Sequence, residues 1–206
     1  MTSGERPSHY FDPTPTGASA PATVELALPD LRLTLTTDRG VFSTDHVDVG
    51  TKFLLLDGPA IPPGVRTIVD VGCGYGPIAL ALASRCPDAT VWAVDVNERA
   101  LGLCEANAAA AGLANVRVAT PDDVPNDLVV DRIWSNPPIR VGKAALHGLL
   151  ATWLDRLAPD GSAALIVQKH LGADSLARWL ATRGHEVRRL GSRRGYRILE
   201  VDACAS

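Results

Sequence analysis

The chain has no apolar run approaching the roughly 18 residues that a membrane-spanning helix requires, and none follows a basic stretch at the N-terminus. Its opening residues, MTSGERPSHYFDPTPTGASAPAT, are polar and rich in proline, which argues against a signal peptide. The four cysteines, Cys73, Cys86, Cys104 and Cys204, form no C-x-x-C pair and have no histidine at ligand spacing, so no metal site is expected. These absences predict a cytoplasmic protein, in which disulfides are not expected. Neither sign of charge dominates, with 20 basic residues against 23 acidic ones. That balance, with 46% hydrophobic residues, excludes intrinsic disorder. A chain of 206 residues can bury roughly 70% of its unfolded surface, so a single domain needs no covalent staple. No internal repeat is evident.

Residues 1–22 read as a flexible tail, and 23–206 as one domain: a hairpin and helix cap over 23–60, then a catalytic core over 61–206. LRLTLTT (31–37) alternates as a strand does. Asp38-Arg39-Gly40 reads as its turn and VFS (41–43) as the returning strand. From residue 67 strands alternate with helices. Strands are expected at 67–72, 90–96, 115–120, 131–135 and 162–168, and helices at 77–85, 97–113, 144–157 and 173–183. Two final strands, 186–191 and 196–202, flank a short Ser-Arg-Arg-Gly turn. The pattern predicts an α/β, doubly wound, Rossmann-like sheet of seven strands, mostly parallel with an antiparallel last strand, preceded by a small N-terminal hairpin.

Asp70-Val71-Gly72-Cys73-Gly74-Tyr75-Gly76-Pro77 stands where the first core strand passes into the first core helix. Glycines there let the backbone turn tightly and approach a ligand at the helix N-terminus. A dinucleotide fingerprint wants its third glycine where Pro77 stands, so G-x-G-x-G argues against NAD. Asp95 ends the second core strand 23 residues after Gly72, where a carboxylate can take both hydroxyls of a ribose. A tight structural turn with an acidic neighbour is the plainer alternative.

Ser135-Asn136-Pro137-Pro138-Ile139 follows the fourth core strand, at the edge where doubly wound sheets bind ligands. An exocyclic or amide nitrogen is a poor nucleophile, because its lone pair is delocalised. The Asn136 side-chain oxygen and the Pro137 carbonyl can accept its two N–H groups and aim the lone pair at a methyl group. The prolines fix the carbonyl direction and force Asn136 into an extended conformation. Such catalysis is orientation and electrostatics, without a strong general base.

Asp70 to Gly76 followed by Asp95 resembles motifs I and II of class I S-adenosylmethionine-dependent methyltransferases. The resemblance implies S-adenosylmethionine as cofactor, with Asp70, Gly72, Cys73, Gly74 and Gly76 beneath its methionine part and Asp95 on its ribose. It also implies Asp122 near the adenine and Val96 packed on the ring. Asn-Pro-Pro-aromatic is shared by N-methyltransferases of adenine, guanine or glutamine; here Ile139 takes the aromatic place. Gly40-Val41-Phe42-Ser43 and Asp48-Val49-Gly50-Thr51, read with these motifs, resemble the RsmC-like family of small-subunit ribosomal RNA guanine-N2 methyltransferases, the "methyltransferase small" domain. The likeness covers roughly 23–202 and makes Phe42 and Thr51 candidate cofactor-lining residues; ordinary core and helix-cap roles would suit both equally. The best-known members carry a second, degenerate copy of the domain, whereas this sequence has one. The function implied is methylation of guanine N2 in 16S ribosomal RNA, with Asn136, Pro137, Pro138 and Ile139 at the reacting nitrogen.

Charge is concentrated near the end. Residues 178–197 hold seven arginines against Glu186, so that segment is +6 and the remainder −9. A solvated, charge-protected edge strand is one reading. The other is an RNA-facing patch of Arg193 and Arg194, with Arg140 and Lys143 on the same sheet edge. The expected partner is ribosomal RNA or the small subunit, with neither DNA nor membrane. The alternatives are an N-methyltransferase of a protein glutamine or small molecule, and a non-catalytic RNA-binding module.

Overall fold

The structure, a computed structural model, describes residues 18–204. Strands β1 (Ala22–Ala27) and β2 (Arg32–Thr37) form a separate antiparallel hairpin. Helix α1 (Val49–Asp57) follows, and then the alternating core: β3 (Thr67–Val71), α2 (Pro77–Arg85), β4 (Thr90–Val94), α3 (Glu98–Ala110), β5 (Val116–Ala119), β6 (Val130–Ser135), α4 (Lys143–Leu154), β7 (Leu157–Gln168), α5 (Ala173–Thr182), β8 (Val187–Arg193) and β9 (Tyr196–Asp202). The seven core strands lie in the order β5-β4-β3-β6-β7-β9-β8. The first five are parallel, and β9 is antiparallel to both β7 and β8. Strand β8 therefore points the same way as β7, and the β8–β9 turn emerges at the edge where β3 and β6 end.

Helices cover both faces. On one, α1, α2, α3 and the hairpin bury Phe53, Leu54, Leu80, Leu101 and Leu35 against Ile68, Val91, Trp134 and Ile166. On the other, α4 and α5 bury Leu150, Trp153, Leu176 and Leu180 against Val69, Ile133, Leu165 and Leu199. Strands buried on both sides read as near-continuous apolar runs, which is why TIVDV and SAALIV stand out in the sequence. Gly58 ends α1, its N–H donating to Leu54 O.

The expected hairpin across Asp38-Arg39-Gly40 does not form. Strand β2 pairs with β1 instead, placing Leu26 opposite Leu33 and Ala22 opposite Thr37. The Asp38 carboxylate, which looked like a turn residue, accepts from Ser19 Oγ (2.7 Å) and from the backbone N–H groups of Ala20 and Arg39 (2.6 Å). It pins the strand preceding it; residues 39–40 do turn, Val41 N–H donating to Asp38 O (3.4 Å), but no strand returns after them. Gly40 and Ser43 then adopt positive φ, and Val41 and Phe42 continue as bends. The true partner strand, ATVELA, also alternates, with Val24 and Leu26 turned inward. Most of the expected tail, residues 1–17, lies outside the described residues.

Hairpin and core are joined by Asn107 on α3, which is 3% exposed. Its Oδ1 accepts Thr36 N–H (2.8 Å), and its Nδ2 donates to Thr36 O and Tyr75 O (2.9 Å each). One amide thus ties β2 to the glycine loop with its polar groups satisfied.

Candidate active site

The glycine loop leaves β3 under close backbone control. Gly72 and Cys73 N–H both donate to Val94 O (2.8 and 3.0 Å), and Gly76 N–H donates to Cys73 O (3.0 Å). Gly76 is the N-cap of α2 at φ +97, with Pro77 opening the helix. Cys73 turns its side chain into the core beside Cys104, and burial pushes its thiol pKa well up. Only its backbone therefore faces the loop's open side. Gly74, at φ +55, has open space where a side chain would stand.

Two carboxylates organise this half. Asp70 is fully buried; its Oδ2 accepts Ala79 N–H (2.9 Å), while its Oδ1 has no partner. Burial raises its pKa to about 8, the Ala79 hydrogen bond pulling the other way. Asp95 accepts Gly74 N–H (2.9 Å) and Asn97 N–H (3.0 Å), and burial again raises its pKa. Val96 lies between Asp95 and Asn97, and Asn97 donates its side-chain N–H to Gly40 O (2.9 Å). Asp122 and Asp123 part company in a short turn after β5. Both are exposed, but Asp123 takes the Thr120 hydroxyl (2.6 Å).

The Asn-Pro-Pro segment ends β6, next to β3. Ser135 Oγ donates to Val71 O (2.6 Å), locking the two strand ends together. Pro137 O accepts Ile139 N–H (2.8 Å) in a tight turn with Pro138 at φ −74, ψ 76, leaving one lone pair on that carbonyl. Ile139 packs against the core beneath α4 rather than standing free as a platform. Asn136 Nδ2 donates to Asp48 Oδ2 and Thr51 Oγ1, both at 3.0 Å. Asp48 is also the N-cap of α1, accepting Thr51 N–H (3.0 Å), and its Oδ1 accepts the Tyr196 hydroxyl (3.2 Å). Gln168 Nε2 in turn donates to Tyr196 Oη (3.0 Å).

Thr51, 4% exposed, thus has its hydroxyl on Asn136. Phe42, 64% exposed, lies on the loop running from Gly40, tied to Asn97, towards Asp48, tied to Asn136. The sequence reading quoted Asp48 but gave it no role, and missed Tyr196, Gln168 and the buried, unpartnered Tyr75 hydroxyl, whose pKa is pushed up by burial and by the Asp48 charge.

The edge is electrically divided. Around β4 and β5 it carries Asp95, Glu98, Asp122 and Asp123. Around β7 and β8 it carries exposed Lys169 and His170 in the turn after β7, and Arg193 and Arg194 at the hairpin turn. Lys169 N–H donates to Gly195 O (2.7 Å), so these two turns are neighbours. Asp57 and Asp174, on this side, are paired with Arg193 (3.8 Å) and Arg197 respectively. Lys143 is exposed at the start of α4; Arg140 lies in the preceding turn, and its side chain is outside the described residues. Among the described residues no group of three or more His, Cys, Asp or Glu is placed to hold a metal, and no helix is long and apolar enough to cross a membrane.

Residues 32–200 match the methyltransferase small domain family. The chain is 37% identical over 196 residues to uncharacterized protein YbxB of Bacillus subtilis, covering 94% of this chain and 97% of that one. It is 31% identical to ribosomal RNA small subunit methyltransferase C of Shewanella sp. strain MR-4, over 71% of this chain but only 43% of that one. It spans less than half the length of that relative. Among solved structures, the 16S rRNA N2 methyltransferase RsmC of T. thermophilus, in complex with AdoMet and guanosine, superposes with a TM-score of 0.71 at 22% identity, over 90% of this chain and 51% of that one. That likeness shows the fold. With the family match running from the hairpin to the last strand of the sheet, the chain belongs to the methyltransferase small domain family of S-adenosylmethionine-dependent methyltransferases.

Proposed function

We propose that this chain methylates the exocyclic N2 of a guanine in small-subunit ribosomal RNA, using S-adenosylmethionine. The observation that carries the reading is that paired strands β3 and β6, tied by Ser135 to Val71, end side by side in the glycine loop, open at Gly74, and the Asn136 amide. The residues present fit the cofactor. The unpartnered Oδ1 of buried Asp70 suits a cationic group, Asp95 and Val96 suit ribose and adenine, and Asp122 stands exposed at the adenine side. When bound, the cofactor supplies an electrophilic methyl on a sulfonium. Asn136 Oδ1 and the free lone pair of Pro137 O accept the two N–H groups of the target, whose nitrogen would gain the N–C bond as the methyl's bond to sulfur breaks, its electron pair staying on sulfur, and would lose one proton to solvent. Prolines 137 and 138 hold those acceptors still, so the effect is orientation. RNA, rather than a protein or small molecule, is favoured by the cations of the β7–β8 side: Lys143, Lys169, Arg193 and Arg194.

Arg194 supports the RNA reading further. Arg194 and Gly195 form a two-residue turn with φ +48 and +82, a geometry suited to strand twist but costly for a side chain such as arginine. Asparagine tolerates that region better. Arg194→Asn is expected to leave the melting temperature unchanged or raised. Its RNA affinity should fall, with the slope of log affinity against log salt reduced by about one. Salt-dependent binding to ribosomal RNA fragments measures both; an unchanged slope removes Arg194 from the interface.

A cation beside Asp70 favours its ionised form. Since burial raises that carboxyl's pKa to about 8, cofactor binding at neutral pH should release about one proton. Calorimetry in buffers of different ionisation enthalpy counts it, and Asp70→Asn should release none. For folding the sign is opposite. The folded pKa lies above the ordinary 3.8, so stability of the empty protein falls as pH rises from about 4 to about 8.

The function itself is tested by incubating the protein with methyl-labelled S-adenosylmethionine and ribosomal subunits from a strain lacking its gene. The RNA is then digested to nucleosides and separated by mass. Label in N2-methylguanosine is expected. Label in another nucleoside corrects the base, and label only in ribosomal protein overturns the RNA reading.

A further inference from the structure

We propose that Asp48 is a positioning residue for the reaction: it fixes the Asn136 amide with its NH2 inward and its oxygen towards the target nitrogen. The orientation follows from chemistry. A carboxylate only accepts, so the side of the amide facing Asp48 Oδ2 at 3.0 Å must be the NH2 group. The other N–H of that group meets Thr51 Oγ1, also at 3.0 Å. With both amide donors used, Oδ1 is the side-chain atom left to meet a ligand. It suits a target that donates, such as an amine, and disfavours one that only accepts.

An unanchored Asn amide has a broad, roughly two-fold terminal torsion, so it would present donors and acceptor alternately. Asp48 removes that freedom because it is itself held from two directions, one of them braced by a third residue. Thr51 N–H holds Oδ2, the Tyr196 hydroxyl holds Oδ1, and Gln168 holds Tyr196. The anchor thus draws on the start of α1, the end of β7 and the start of β9, while Asn136 comes from the end of β6. Gly50 admits this packing, since a side chain there would stand 2.5 Å from the Tyr196 ring and 2.8 Å from Asp48 Oδ2.

The inference rests on the N-methyl transfer reading for its kinetic test, so the experiment has a second readout that does not. Two full-length variants are compared. Asp48→Ser keeps a good N-cap for α1 but is too short to reach Asn136. Asp48→Asn keeps an oxygen for Asn136 and Thr51, and its NH2 can donate to the Tyr196 oxygen. Asp48→Ser is expected to lower kcat by roughly 10- to 100-fold, with KM for S-adenosylmethionine and melting temperature little changed. Asp48→Asn should recover most of that loss. Equal loss in both variants would mean that the charge of Asp48, acting as a base, is what matters, and would overturn the proposal. In parallel, the Asn136 side-chain NH2 is followed by nitrogen-15 NMR. Two resolved, slowly exchanging protons are expected in the unsubstituted chain and in Asp48→Asn, and their collapse in Asp48→Ser. If no RNA is labelled, the functional reading fails while the NMR still decides this one; an Asn136 signal unchanged in Asp48→Ser overturns it.

Discussion

Asn136→Ala should lose about 100- to 1,000-fold in kcat, the range seen when one preorganised hydrogen-bonding group is removed from a reacting centre. The deletion takes away an acceptor and leaves the rest of the edge standing. Asp48 keeps Thr51 N–H and the Tyr196 hydroxyl, and Ser135 still ties β6 to β3. S-adenosylmethionine affinity should therefore stay within a few-fold, because the glycine loop, Asp70 and Asp95 belong to other strands. Single-turnover methyl transfer with saturating cofactor, alongside calorimetric cofactor titration, separates the two quantities. Transfer at the unsubstituted rate would remove Asn136 from the chemistry. Joint loss of transfer and cofactor binding would instead make it a cofactor residue.

A second large effect divides two glycines that look alike in the sequence. Gly76→Ala would set a carbon 2.6 Å from Leu80 Cδ1 and 2.7 Å from Cys104 Sγ, in a conformation of φ +97 that alanine resists. Overpacking and strain together should cost on the order of 3 kcal/mol, a large share of a stability of roughly 5–15 kcal/mol. For a chain of this length that lowers the melting temperature by about 6–12 °C. At Gly74 nothing lies within 4 Å of the added carbon, so Gly74→Ala carries only the local cost of φ +55, about 1 kcal/mol. Its methyl instead enters the space read as the cofactor's, and affinity for S-adenosylmethionine should fall at least tenfold. Thermal melts with and without cofactor test the pair. A Gly74→Ala protein that binds normally would place the cofactor elsewhere along the loop.

What could be read from the sequence was what depends on neighbours in the chain. The passage from TIVDV through the glycine loop to a proline-started helix is a local event, and so is the Asn-Pro-Pro turn at a strand end. Misreadings came where distant residues decide. Asp38-Arg39-Gly40 turns as its composition suggests, but 41–43 form no returning strand: β2 pairs with β1, and the Asp38 carboxylate is taken by Ser19 and Ala20, far back in the chain. Asn136 stands out in the sequence, but the residues that hold it do not: Asp48, Gln168 and Tyr196 read as a helix start, a strand end and a strand start. Only the antiparallel register that sets Gln168 opposite Tyr196 brings them together, and no periodicity announces it.

Strand β9 lies between β7 and β8 although it is made after both. During synthesis from the N-terminus, β7 therefore has no neighbour on its outer side, and β8 has nothing to pair with, until residue 202 has left the ribosome. A nascent chain at that stage shows an unpaired strand edge, the kind of surface on which chaperones act and along which chains stick to one another. Tyr196 arrives with that same strand. The last step of sheet closure is thus also the one that steadies Asp48, so a half-made polypeptide can hold a recognisable glycine loop well before its amide is set for work.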